Sequence, residues 1–197
     1  MARSPVVDQK PAERPDAALA FRTARRRFMA GERVDMQQLA ADLGVDRTTL
    51  FRWLGNRDQL LVDIMISLND PTLRDVVALA RGTGGQRIAH TARLYAEALL
   101  EARYYRDFLS AETERALRLI TTKASPLQQR VVAAFERLLE EESQRGELAH
   151  PLDNHDLAYL IVRIIESFIY SDLIAGEEPD AAKVEDAIAA ILHVDGA

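Results

Sequence analysis

Six side chains within one short span could meet base edges or a polyanion: Arg47, Thr48, Thr49, Arg52, Trp53 and Arg57. Arginine can donate two hydrogen bonds to guanine O6 and N7, and threonine offers a hydroxyl and a methyl to a base. Arg47 and Thr48 open a helical pattern, where base edges come within reach. Thr49 and Arg52 are placed for phosphates. Arg57 can hold a phosphate together with the free N–H groups of the helix that it starts. Trp53 is the single tryptophan; its indole can bond phosphate, or its ring can pack against the first helix.

A second group suits binding rather than catalysis. Tyr95, Tyr104, Tyr105, Phe108, Arg163, Glu166 and Tyr170 combine aromatic walls with one pair of opposite charges, the mixture found in sites for mainly apolar small molecules. At helical spacing Glu166 lies about 60° from Arg163 and Tyr170 about 20° from it. A buried charge needs a partner, so Arg163 and Glu166 pair with each other or one of them meets a ligand. Phe135 and Phe168 are further aromatic candidates. No catalytic set, metal site or cofactor site is expected. The four histidines, His90, His150, His155 and His193, are scattered and cysteine is absent. No Gly-x-Ser-x-Gly elbow or glycine-rich phosphate loop after a strand is present.

The elements that must position these residues are helices. Asp16 caps a first helix whose apolar stripe is Ala17, Ala20, Phe21, Ala24 and Phe28, and Gly31 ends it. A second starts near Asp35 and stops at Gly44 in a left-handed turn. Asp46 caps a third, with Leu50, Phe51 and Leu54 inward, broken at Gly55-Asn56. A fourth runs to Leu68, and Asn69-Asp70-Pro71 is expected to break or kink it before a short piece over 71–80. Further helices are expected over 86–104, 107–121, 126–145, 154–175 and 179–192. No alternating strand pattern is found, so the class is all-α with about nine helices.

Two small helices joined by a tight turn place the second in a DNA major groove. Ala40 and Gly44 are small where the helices approach, and Val45, Leu50 and Leu54 form their shared core. Charge agrees with this division. Residues 1–57 hold 11 Lys and Arg against 7 Asp and Glu, whereas the remainder holds 14 against 24, within a net charge of −6. A basic head on an acidic body is the asymmetry expected when one part meets phosphate. Residues 1–15 read as a disordered arm, 16–66 as the DNA-binding unit and 67–197 as a sensing and pairing unit. No apolar run reaches the length of a membrane span and no signal core opens the chain, so a cytoplasmic location is expected.

The phrase LAADLGVDRTTLFRWLGNRDQLL resembles the N-terminal domain of the TetR family of one-component transcription regulators. Ala40, Gly44-Val45-Asp46, Leu50-Phe51, Leu54 and Asn56-Arg57-Asp58-Gln59-Leu60 match its pattern in place or type, over about residues 16–66. RTTLFRWLGNRDQLL is more particularly similar to the QsdR-like subgroup, linked to lactone degradation. Two departures are visible: Phe51 stands where the family has a tyrosine whose hydroxyl often reaches phosphate, and Arg57 replaces a lysine.

The resemblance implies a helical C-terminal ligand pocket, dimerisation through the last two long helices, a palindromic double-stranded DNA operator and a small-molecule effector, possession of a lactone or fatty-acyl group being the first effector chemistry to test. The residues support the pairing independently: Ala158–Ile174 is apolar almost all round and needs covering on every broad side, which a second copy would supply in a homodimer. A central helix of a monomeric bundle is the alternative. For function, the alternatives are an activator or DNA binder without an effector, an all-α enzyme, and a helical protein–protein adaptor.

Overall fold

Five aspartates and an asparagine set most of the helix starts. Asp16, Asp35, Asp46, Asn56, Asp153 and Asp180 each accept hydrogen bonds from backbone N–H groups of the turn that follows, satisfying donors that have no partner inside the helix. The computed structural model describes residues 15–193, and no strand occurs among them. The expected arm over 1–15 therefore lies almost wholly outside the described residues. The elements in order are α1 (Ala17–Met29), α2 (Met36–Leu43), α3 (Arg47–Leu54), α4 (Arg57–Leu79), α5 (Gly84–Glu101), α6 (Arg103–Ala111), α7 (Thr113–Thr121), α8 (Leu127–Gln144), α9 (Asn154–Ile169), α10 (Ser171–Ile174) and α11 (Ala181–Ile191).

The all-α reading is correct, but eleven helices replace the expected nine or so, for local reasons. Asn69-Asp70-Pro71 does not break α4, which runs through Pro71 to Leu79. Leu73 and Val76 are buried beyond it, and Tyr95 donates to the Asn69 side chain at 2.6 Å. Tertiary contacts thus outweigh the one ladder bond that proline removes.

The stretch expected as one helix over 107–121 is two. Glu112 leaves helical geometry at φ −137°, ψ 47° and its carboxylate is bound by Arg57, from another element. The apolar helix expected to reach Ala175 ends at Ile169. There the Ser171 hydroxyl turns to the carbonyls of Phe168 and Glu177, at 2.9 and 3.2 Å.

Helices α1 to α3 form one small bundle at the start of α4. Ala20, Ala24, Phe28, Leu39, Ala40, Leu50 and Leu54 are buried in it. The body packs α11 on α5, α8 on α9, and α4 against both α5 and α8. Its core includes Ile88, Phe135, Leu138, Leu139, Leu157, Ile161 and Val184. No helix among the described residues is long and apolar enough to cross a membrane.

Candidate nucleic-acid interface and its cavity

The turn between α2 and α3 follows from Gly44. Its φ of 65° and ψ of 30° lie in the left-handed region, which costs an L side chain energy and costs glycine little. The Val45 N–H then returns to the Ala40 carbonyl at 3.1 Å. Asp46 holds the first turn of α3 through the Thr49 N–H and the Thr49 hydroxyl, both at 2.7 Å. These bonds from Thr49 keep the Asp46 carboxyl below its ordinary value.

Outward from this frame, Arg47, Thr48 and Arg52 are exposed on α3. The Arg47 guanidinium lies 5.1 Å from the centre of the Phe51 ring, so Phe51, which lacks the family hydroxyl, carries a cation instead. Thr49 is half-buried with its hydroxyl committed to the cap, which leaves less of it for phosphate. Trp53 is half-buried and packed on the core.

Arg57 differs from the expectation of a phosphate clamp. Its Nε donates to the Val34 carbonyl at 2.5 Å and its two terminal nitrogens grip both carboxylate oxygens of Glu112, one at 2.6 Å. This grip holds the Glu112 carboxyl below its usual range. Arg57 joins the N-terminal bundle to the body, with all three guanidinium nitrogens engaged in the protein.

The second group of residues largely converges on one cavity, of about 50 Å³, lined by α4, α5, α6, α7, α8 and α9. Tyr95, Tyr104, Tyr105, Glu166 and Tyr170 line it. Phe108 does not: its ring packs edge-on against Phe28 of α1, 5.5 Å between centres. Arg163 does not either, but pairs with Glu166 one turn on and lies 5.5 Å from the Tyr159 ring centre. Gln128, with its amide oxygen turned to Arg163, donates to the Thr121 carbonyl at 3.3 Å. The alternatives for Glu166 are therefore joined in one residue, an internal ion pair that also faces the cavity. Burial pushes its carboxyl up to about 7, against the pull of Arg163. Tyr105 and Tyr170 share a hydrogen bond of 2.5 Å between their hydroxyls, and burial raises both phenols well above their ordinary value.

Asn69 and Gln128 are among the polar wall residues that escaped the sequence reading. A signal for both exists. Asn69 lies one turn from Met65 and one turn from Leu73, on the apolar stripe of α4, and Gln128 precedes Val131 on that of α8. A polar residue on an apolar stripe marks a cavity wall or a buried bond. Among the described residues no cluster of three metal-ligating side chains occurs.

Residues 83–193 match the Tetracyclin repressor-like, C-terminal domain family. The chain belongs to the TetR family. It is similar to the solved structure of the R. erythropolis transcriptional repressor QsdR from the TetR family. The TM-score is 0.82 and the identity 27%, covering 92% of this chain and 96% of that one. A Clostridium perfringens protein described as a regulator of fatty acid metabolism shares the fold at a TM-score of 0.53 and 16% identity, covering 92% of this chain and 100% of the other. No curated protein matches.

The chain is thus a TetR-family DNA-binding transcription regulator, and the contacts between its two parts gain meaning from that. Helix α6 carries Tyr104 and Tyr105 on the cavity and, one turn on, Phe108 against α1. Glu112, just after α6, holds Arg57 at the start of α4. Asp58, the next residue of α4, is held by Arg115 and Arg118 of α7, the latter at 2.6 Å. Arg25 of α1 donates to the Ser67 hydroxyl of α4 at 3.1 Å.

Proposed function

We propose that this regulator is a homodimeric repressor, released from a palindromic operator by a small, mainly apolar effector bound in the cavity. The observation that supports this reading best is that α4 and α6 each touch both the α1–α3 bundle and the cavity wall. On α4, Arg57 and Asp58 sit at the base of the bundle and Met65, Leu68, Asn69 and Thr72 on the wall. An effector that favours a wider cavity displaces one or both helices and moves the reading helix with them. It must bind one arrangement better than the other: driving the population from 1:99 to 99:1 needs a preference of about 10⁴-fold.

In this reading Arg47 and Thr48 meet base edges, Arg52 meets phosphate, and two copies of α3 enter successive major grooves roughly 34 Å apart. The pairing surface is the outer side of α8, α9 and α11, where Tyr159 stays 49% exposed beside half-buried Leu160 and Ile164. The repressor sign follows the QsdR relative, and the resemblance of the α3–α4 segment to that subgroup makes a lactone or fatty-acyl compound the first effector to try. A gel shift on the DNA upstream of its own gene tests the core of the proposal. Binding should weaken steeply as salt rises, and a protein that shows no salt-sensitive binding even at low salt is not a DNA-reading repressor.

A further inference from the structure

The cavity is too small for the effector that its walls would recognise. A cavity three times larger, about 150 Å³, is what benzene needs, and 50 Å³ holds only a few waters. Next to it, open to solvent between the N-terminal bundle and the body, lies a cleft of about 300 Å³. Its floor is Phe28, Leu61 and Phe108, and Arg57 and Glu112 stand at its rim. One residue, Tyr104, lines both spaces. Its ring is 5.8 Å from that of Phe28, and among the described residues its hydroxyl has no hydrogen-bond partner. Packing alone holds it in place. Together the two spaces reach the lower end of small-molecule sites, roughly 300–1,000 Å³.

The cavity end also has unused donors. Asn69 is 9% exposed, its oxygen accepts from Tyr95, and its Nδ2 has no partner. Of the two protons on the Tyr105–Tyr170 pair, one closes the bond between them and the other remains to be donated. A buried N–H without an acceptor costs stability, and an acceptor on a ligand recovers it.

We infer that Tyr104 is a movable partition and that the effector site is the cavity and the interdomain cleft joined. Its ligand is an elongated, mainly apolar molecule with one hydrogen-bond-accepting end. The accepting end meets Asn69 and the tyrosine pair, and the tail passes the Tyr104 ring to lie on Phe28, Leu61 and Phe108. The tail then touches α1 directly. This inference rests on the cavity being the effector site.

Methyl ketones from 2-butanone to 2-decanone, titrated calorimetrically into the full chain, test it. Each buried methylene should raise affinity about fourfold, the equivalent of about 0.8 kcal/mol, throughout the series. Ala111→Phe, at an exposed position on the cleft, should leave the short ketones unchanged and weaken the longest at least tenfold. Ala98→Leu, in the cavity wall, should weaken every length. A circular dichroism melt confirms that each variant is folded. If Ala98→Leu weakens all lengths and Ala111→Phe weakens none, the site ends at Tyr104 and the joined site is refuted while the cavity stands. If Ala98→Leu has no effect on the ketones that bind, or no ketone binds up to its solubility, the cavity reading itself fails and the joined site with it.

Discussion

Replacing Glu166 by glutamine should stabilise the protein above pH 7 and make little difference near pH 5. The Glu166 side chain is 13% exposed on the cavity wall. Burial lifts its carboxyl from the ordinary 4.5 to about 7, with Arg163 opposing the rise. In the unfolded chain the group loses its proton near 4.5; in the fold it keeps it until about 7. Between those values the folded state binds more protons than the unfolded one, so stability falls as pH rises. The contribution is complete below 4.5 and gone by about pH 8. Crossing the whole window costs about 3 kcal/mol, at 1.36 kcal/mol for each pH unit. Glutamine copies the shape of the neutral acid and cannot ionise, so the variant escapes that cost. It also loses the carboxylate opposite Arg163, which is itself one-third exposed and so loses little. A net gain of about 2–3 kcal/mol at pH 8 remains, or a rise of very roughly 4–12 °C in melting temperature for a chain of this size. Urea unfolding of both proteins at half-unit steps from pH 5.5 to 8.5 measures it, because the difference between them cancels every other titration. A difference that stays flat across that range, or a variant less stable at pH 8, would refute burial as the dominant influence on Glu166.

Three further outcomes follow from named contacts. Arg47→Ala should change which base is preferred at one operator position, whereas Arg52→Ala should weaken all sequences about equally and reduce the salt slope by about one; competition gel shifts over a set of operator variants separate them, and identical behaviour would mean that α3 is docked wrongly. Arg57→Ala should act on stability before DNA contact: it leaves the Val34 carbonyl without its donor and Glu112 with Arg115 alone, at a cost of about 1.5–3 kcal/mol in urea unfolding, while the salt slope stays as in the parent. Gly84→Ala should be severe, because at φ 55° a Cβ would stand 2.1 Å from the Glu147 carbonyl oxygen and the Gly84 N–H, which donates to buried Glu142 at 2.7 Å, would be displaced; Gly44→Ala, also at positive φ but with open space around it, should cost only about 1–2 kcal/mol, and equal costs for the two would contradict the close approach.

The reading segment was legible because its determinants are local. Asp46 binds the N–H three residues on, Gly44 takes the one conformation that turns the chain, and Asn56 with Gln59 forms a reciprocal capping box. None of these needs a distant partner. Where determinants were distant, the sequence misled. Pro71 looks like a terminus until Asn69 is bound by Tyr95, 26 residues further along the chain than Asn69. Glu112 looks like helix interior until Arg57, 55 residues away, draws its carboxylate. Tyr104 and Phe108 look like one aromatic cluster, yet one turn of α6 separates a cavity wall from a contact with α1. Helical periodicity gives a face, but not the neighbour that the face meets.

If the cavity takes an effector as proposed, the same geometry couples the junction to it. From Arg57 to Asn69 along α4 is twelve residues, about 18 Å of rigid helix, and from Tyr105 to Ala111 along α6 is six, about 9 Å, with Glu112 next in the chain. These two rods of unequal length start on one cavity and meet again at the Arg57–Glu112 grip. If a ligand spreads α4 from α6 at the cavity, their far ends cannot both keep their places: either the N-terminal bundle rotates with α4 or the grip opens. A bidentate pair of fixed geometry resists gradual shear, so the two parts should move together until the pair breaks. That favours two discrete arrangements over a continuum, which is what release of DNA by a ligand requires. Phe28 is placed to take part in the same choice, because it rests on both Tyr104 and Phe108.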